Sequence, residues 1–349
     1  MEENKIEEKT KNKYPILVLI IGAIFILASL AFVLVPMITN KKDNNTNNNE
    51  NNGNNNEQKE EKKKTSFDVN KVFTLVLTPE KSELIRYNGT IEVLDIKLFN
   101  YNDAGYDFND KVIYYHASDN KLHKYEIDTK KDTNLEVELG ENFSMLAMAD
   151  DYIYLLTTDN MGGRKRIYNI ATKEIKEIDE YIHTNNVFVY TYKNKLVYDD
   201  LNKGISLYDP SNNSVEVISS EKKFIVLPNY SYGNRLVYGE NDHGNLEYYI
   251  YDLDTKKATK TSETHLGKYN VNPNTVTDEN GKVLMKLSDL HNRTFKVVAE
   301  DIMVIEEYKD NESCEYDDVC LPDEDDYKYY LLDTKALTLD KIYNGYLYK

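Results

Sequence analysis

Cys314 and Cys320 are the only two cysteines in 349 residues, and five residues separate them. Two thiolates with no histidine nearby fall short of the four ligands of a structural zinc site. In an oxidising compartment the same pair closes a short disulfide loop, and that is the pairing expected here. The surrounding segment is strongly acidic: residues 300–326 carry thirteen Asp and Glu against one basic side chain, Lys309. Because Ca²⁺ takes six to eight oxygen ligands, Asp317, Asp318, Asp323, Glu324, Asp325 and Asp326 are the candidate donors for such an ion. Their spacing lacks the mid-loop glycine of an EF-hand, so a solvated acidic loop is the plainer reading, and no other cofactor is expected.

The remaining chemistry-bearing residues are scattered. His116, His123, His183, His243, His265 and His291 show no HxxxH or histidine-plus-carboxylate spacing, which makes them ordinary strand and turn residues rather than ligands or triad members. Asn160-Met-Gly-Gly-Arg-Lys-Arg166 has the glycines of a phosphate loop, but no helix follows to present its N-terminus, so it reads as a hairpin turn. Residues 67–349 hold 51 acidic side chains, enough that some must face each other as glycosidase carboxylates do, yet abundance singles out no catalytic residue. Tyr230 and Tyr232 lie in irregular sequence and could offer an aromatic surface to a glycan or a protein.

These residues are positioned by a repeat. A turn residue, a basic or aromatic residue and a short apolar strand recur as Asp110-Lys-Val-Ile-Tyr114, Asp151-Tyr-Ile-Tyr154, Asn194-Lys-Leu-Val-Tyr198 and Asn234-Arg-Leu-Val-Tyr238. A second marker, an aromatic strand running into a polar turn, recurs as Tyr125-Glu-Ile-Asp-Thr129, Tyr168-Asn-Ile-Ala-Thr172, Tyr208-Asp-Pro-Ser-Asn212 and Tyr251-Asp-Leu-Asp-Thr255. Both markers keep a spacing of 40–43 residues, the period of a four-stranded propeller blade.

Asn120, Gly162-Gly163, Gly204 and Gly244-Asn245 fall between the two marked strands, where a tight hairpin needs positive φ. Asp128, Ser211 and Asp254 are the expected backbone-bonding residues of the later turns. Charged strands such as Glu174–Ile178 suit an outer edge, and the apolar runs Phe143–Ala149, Val187–Tyr192 and Phe224–Pro228 suit the innermost strands. Val72–Leu77 and Thr90–Phe99 open the repeat, Lys282–Met285 with Phe295–Val298 reads as a fifth regular unit, and Asp301–Ile305 with Tyr330–Thr334 closes it around the acidic insertion. The fold class is therefore all-β, a propeller of about six or seven four-stranded blades; a β-sandwich with a β-extension shares the strand pattern.

Residues 1–13 form a short tail with four lysines and residues 14–38 contain the twenty uncharged residues Ile16 to Val35, which as a helix span about 30 Å, the thickness of a bilayer core. The run exceeds the apolar stretch of a cleaved signal peptide, so it is expected to be a transmembrane anchor. Lysines cluster before it, which places the N-terminus in the cytoplasm and residues 67–349 outside it, at the cell membrane. Residues 39–66, with ten asparagines between Asn44 and Asn56, are too polar to bury a core and form a disordered tether. The net charge of −18 on residues 67–349 opposes a nucleic-acid backbone, so no nucleic acid is expected as partner.

Over residues 110–334 the paired markers resemble the blades of bacterial TolB-like and related β-propellers, with a hydrophobic-Tyr strand followed by a Tyr-x-hydrophobic-Asp-Thr turn. The resemblance implies a rigid binding platform, and it carries over no catalytic residue. The expected function is a membrane-anchored binding or scaffold module for an envelope protein, peptide or glycan. The alternative is an envelope carbohydrate-active hydrolase or lyase using channel carboxylates, so enzymatic activity stays open.

Overall fold

The computed structural model describes residues 65–347 apart from 79–80, 101–104, 158–162, 183–187, 201–202, 220–223, 243–244, 262–268, 273, 279, 287–291 and 309–325. The anchor, almost all of the linker, both cysteines, His183, His243, His265, His291 and five of the six candidate calcium ligands lie outside those residues; Asp326 alone is within them. Among the described residues no helix is long and apolar enough to cross a membrane, and Pro228–Tyr230 forms a 3-10 turn.

The described strands form seven antiparallel sheets. Sheet 1 holds β1 (Val72–Leu77), β2 (Ser82–Arg86) and β3 (Ile91–Val93), and sheet 2 holds β4 (Tyr106–Phe108), β5 (Val112–His116), β6 (Lys121–Glu126) and β7 (Lys131–Glu138). Sheet 3 comprises β8 (Phe143–Met148), β9 (Tyr152–Thr157), β10 (Arg164–Asn169) and β11 (Ile175–Glu177); sheet 4 comprises β12 (Phe188–Tyr192), β13 (Lys195–Asp200), β14 (Gly204–Asp209) and β15 (Ser214–Ser219). Sheet 5 contains β16 (Phe224–Val226), β17 (Arg235–Asp242), β18 (Asn245–Asp252) and β19 (Lys257–Thr261), and sheet 6 contains β20 (Tyr269–Asn272), β21 (Thr275–Asp278) and β22 (Val283–Lys286). Sheet 7 ends the series with β23 (Asn292–Ala299), β24 (Ile302–Tyr308), β25 (Lys328–Asp333) and β26 (Thr338–Asn344).

Side chains alternate across each strand, so both faces of a sheet are apolar only if neighbours cover both. Sheets 1 and 2 share Leu75, Leu84, Ile113 and Tyr125. Sheets 2 and 3 share Leu122, Val137 and Ile153, sheets 3 and 4 share Tyr154, Ile167 and Tyr198, and sheets 4 and 5 share Val197, Leu207 and Leu236. Tyr230 and Tyr232 join the cluster of Tyr269, Val276, Met303 and Leu332 that packs sheets 6 and 7. Val304, Tyr329 and Leu331 then meet Val76 and Ile85 of sheet 1, which closes the ring. The fold is an all-β propeller. The closure is made by side-chain packing, and it is tight at one backbone: a Cβ on Gly89, at φ +81°, would stand 2.9 Å from the Ile342 carbonyl oxygen.

The first strands of sheets 2, 3 and 4 touch one another: Met148 N donates to Asp107 Oδ2 at 2.8 Å, and Thr191 Oγ1 donates to the Met148 carbonyl at 2.7 Å. β4, β8 and β12 are thus the inner strands, and β11 is exposed along its length, as the charge pattern predicts. Among the described residues sheet 1 is one strand short. Its β1 follows Asn70-Lys71, like the second strands elsewhere, and Tyr87 N donates to Lys71 O just as Ile127 N donates to Lys111 O in sheet 2.

Three expectations need correction. Thr90–Phe99 belongs to the opening sheet only in part: β3 ends at Val93, and Leu94, Ile96 and Leu98 are buried as the chain crosses to sheet 2, where Leu98 bridges Ala117. Val283–Lys286 and Phe295–Val298 do not form one unit, because the first lies in β22 of sheet 6 and the second in β23 of sheet 7. Sheets 1 and 6 have three strands each among the described residues rather than four.

Candidate functional site

Because strands alternate in direction, turns joining first to second and third to fourth strands share one end of the ring, and hairpins joining second to third strands share the other. At the turn end, Asn169 Oδ1 accepts Ala171 N and Thr172 N, Asp252 Oδ1 accepts Asp254 N and Thr255 N, and Asp333 Oδ1 accepts Lys335 N and Ala336 N. The backbone-bonding residue is thus the one right after the marker aromatic or its equivalent, not Asp128, Ser211 or Asp254. Ser211 is a donor to Asp209, and Asp254 instead links sheets 4 and 5 through Tyr192 and Lys193, each at 2.8 Å.

The marker tyrosines are buried between sheets. Tyr154 donates to Asn194 O at 2.9 Å and Tyr208 to Asn213 Oδ1 at 3.0 Å, and burial pushes the Tyr208 phenol up to about 12. Tyr230 and Tyr232 are half-buried on the core rather than an open aromatic surface, with the Arg235 guanidinium 5.6 Å from the Tyr232 ring.

At the hairpin end of sheet 2 the structure joins residues that look unrelated in sequence. The β5–β6 hairpin places Asp119 and His123 together, and β7 brings Asp132 and Asn134 beside them. His123 Nδ1 lies 2.7 Å from Asp132 Oδ2, and its Nε2 lies 3.1 Å from Asp119 Oδ2. Tyr115 OH donates to Asp132 Oδ1 at 3.1 Å and Asn134 Nδ2 donates to Asp119 Oδ2 at 3.0 Å. Burial, then the Asp132 charge, raises the Tyr115 phenol above its ordinary range. His123 therefore does have carboxylate partners, contrary to the expectation from spacing. The signal is the strand register, in which Tyr115 opposes His123 and His123 opposes Asn134. His116 is buried, stacked on Phe99 at 4.5 Å between centroids, with Nε2 2.7 Å from Asn120 Oδ1.

Next to this cluster a cleft of about 620 Å³ separates the outer strands of sheets 2 and 3. Asn134, Leu135 and Glu136 form one wall, and Arg166, Tyr168 and Ile175 the other. Glu136 adopts φ +59° in a bulge where the β6–β7 register shifts, and its N–H donates to Asn134 Oδ1 at 2.7 Å. Such a bulge turns an outer edge away from pairing with a foreign strand. Arg166 spans the cleft floor, donating through Nη1 to Glu138 O at 3.1 Å and through Nη2 to Leu139 O at 3.3 Å. Burial lowers its pKa from the ordinary guanidinium value, and Arg164 adds to the effect.

The channel contributes Asp107, on the inner strand β4. Burial raises its carboxyl, while the N–H donors of Met148 and Phe108 and the charge of Lys296 pull the other way. Among the described residues no group of three or more His, Cys, Asp and Glu is arranged to hold a metal ion. Gly163, at φ +42°, ends the β9–β10 hairpin; Asn160 to Gly162 lie outside the described residues.

The fold and cleft define a β-propeller with a side cleft. No protein-family model matches the chain, and no curated protein matches it. Among solved structures it is similar to a puromycin-hydrolyzing peptidase of Mycobacterium tuberculosis, at 10% identity and TM-score 0.47 over 78% of this chain and 53% of that one. Oligogalacturonate lyase in complex with manganese follows at 11% and 0.42, over 76% and 70%. TolB from Acinetobacter baumannii is similar at 11% and 0.37, over 79% and 64%.

Proposed function

We propose that this propeller is a binding or scaffold module, tethered outside the cytoplasm by the Ile16–Val35 anchor, that engages an envelope protein, peptide or glycan through its hairpin end and the cleft beside sheet 2. The observation that carries this reading is how the titratable groups at the hairpin end and in the channel are engaged. His123 sits between two carboxylates, His116 contacts Asn120, and Asp107 takes two backbone N–H donors, so each already has the partners a structural role needs. The lysine bias around the anchor supports the topology, and the acid-rich composition supports an extended, soluble surface.

Crosslinking intact cells that express the tagged full chain, followed by mass spectrometry, tests the reading. A reproducible stoichiometric envelope partner is expected; turnover of a cell-wall polysaccharide that vanishes in Asp107→Asn would replace binding with the hydrolase or lyase alternative. One observation favours that alternative, the raised Asp107 carboxyl, a property shared with general acids. A glycosidase pair needs a second carboxylate, and the opposing charge that reaches Asp107 is the cation Lys296.

A further inference from the structure

Resting on the reading that the cleft is a binding site, we infer that His123 is a proton-operated latch on the cleft wall. A neutral imidazole has one N–H and one lone pair, and so donates on one side only. His123 faces a carboxylate oxygen on both sides, at 2.7 and 3.1 Å, and only the imidazolium donates to both. Loss of the proton turns one of these hydrogen bonds into a lone pair directed at an anion.

The groups that surround the ring are Tyr115 from β5, Asp119 from the hairpin, and Asp132 and Asn134 from β7. Asp95, on the crossover from sheet 1, acts on Tyr115 beside it, and Lys121 on the ring's own strand is engaged with Glu136 at 2.8 Å and Glu138 at 3.8 Å. The charges bonded to the ring are both negative, so the cation is what holds them together.

The same carboxylate passes the effect onward. Asp119 Oδ2 also accepts Asn134 Nδ2, and Asn134 Oδ1 accepts the Glu136 N–H, so the ring, the hairpin and the cleft wall are one hydrogen-bonded chain. With the imidazolium present the wall is fixed against the hairpin; without it, hairpin residues 117–120 and the bulge at Glu136 loosen together.

Amide hydrogen exchange on the full chain in detergent micelles, from pH 5.5 to 8, tests the latch without any ligand. After correction for the chemical exchange rate, protection of Lys121 N–H, which donates to Asp119 Oδ1, and of Glu136 N–H is expected to fall about tenfold, the scale of one charge-assisted hydrogen bond. The turn-end amides of Ile170 and Leu253 serve as controls and should show no step. His123→Gln should abolish the step. Constant protection in the wild type, or a step that survives in His123→Gln, overturns the latch. Should that variant fail to fold, ¹⁵N spectra of the wild-type ring decide: both nitrogens protonated at pH 5.5, with the Asn134 side-chain amide shifting as one proton leaves, supports it, and an unmoved Asn134 overturns it. Either failure leaves the binding reading standing, because crosslinking tests that separately.

Discussion

The turn end of the ring repeats itself and the hairpin end does not. Five residues just before the last strands of sheets 2, 3, 4, 5 and 7, namely Lys130, Lys173, Asn213, Lys256 and Leu337, share φ between 54° and 61°. The N–H donors of Ile127, Ile170, Leu253 and Thr334 reach back to the preceding turn in the same way. At the hairpin end, by contrast, sheet 2 closes with a four-residue turn, while sheet 7 carries the acidic insertion of 309–325 between β24 and β25. Repeating a geometry in five sheets requires the same kinds of residue in the same places; varying it requires only that the strands below stay paired. One end therefore builds the ring, and the other is left to differ from sheet to sheet, as recognition loops on rigid scaffolds do.

That contrast can be tested by degrees. The largest effect is expected from alkali. Burial raises all eight marker tyrosines, Tyr208 to about 12, above the ordinary value of 10, so their ionised forms are disfavoured only in the folded chain. Unfolding then releases protons, and stability present below pH 10 is lost as pH rises from about 10 to about 12. Circular dichroism should show one cooperative loss across that window, displaced upward when marker tyrosines are replaced by phenylalanine. Next, Tyr154→Ala empties a wholly buried site and removes the bond to Asn194 O, a cost of about 3–5 kcal/mol in denaturant unfolding. A smaller change of opposite sign is expected from Leu337→Gly, because a leucine at φ 57° is strained and glycine is not: a gain of about 1 kcal/mol. The smallest belongs to the hairpin end, where Ser118→Ala, at an exposed tip, should change stability by less than about 0.5 kcal/mol.

The same contrast explains what could be read in advance. β5, β9, β13 and β17 lie where the first marker places them, since a turn residue followed by a continuous apolar run ending in tyrosine specifies a strand covered on both faces. The apolar runs of Lys282–Met285 and Phe295–Val298 have the spacing of one unit, but no marker tyrosine pins them, and the pairing partners decide instead. The Asp119–His123–Asp132 cluster was invisible for a related reason. Its members stand four and nine residues from the histidine, a spacing with no signature of its own, and only the pairing of β5, β6 and β7 brings them together. Asp209, Asp252 and Asp333 show the opposite case: each directly follows or closely trails a marker aromatic, and local turn chemistry alone puts the carboxylate over the next N–H groups.

Site-specific photo-crosslinking in intact cells bears most directly on the claim that the hairpin end and its cleft meet the partner while the turn end supports the ring. A photoreactive residue at Ser118 or Glu136 should give a discrete adduct, and one at Ser211 or Thr255 should give none. Adducts from the turn-end positions with none from Ser118 or Glu136 would contradict it.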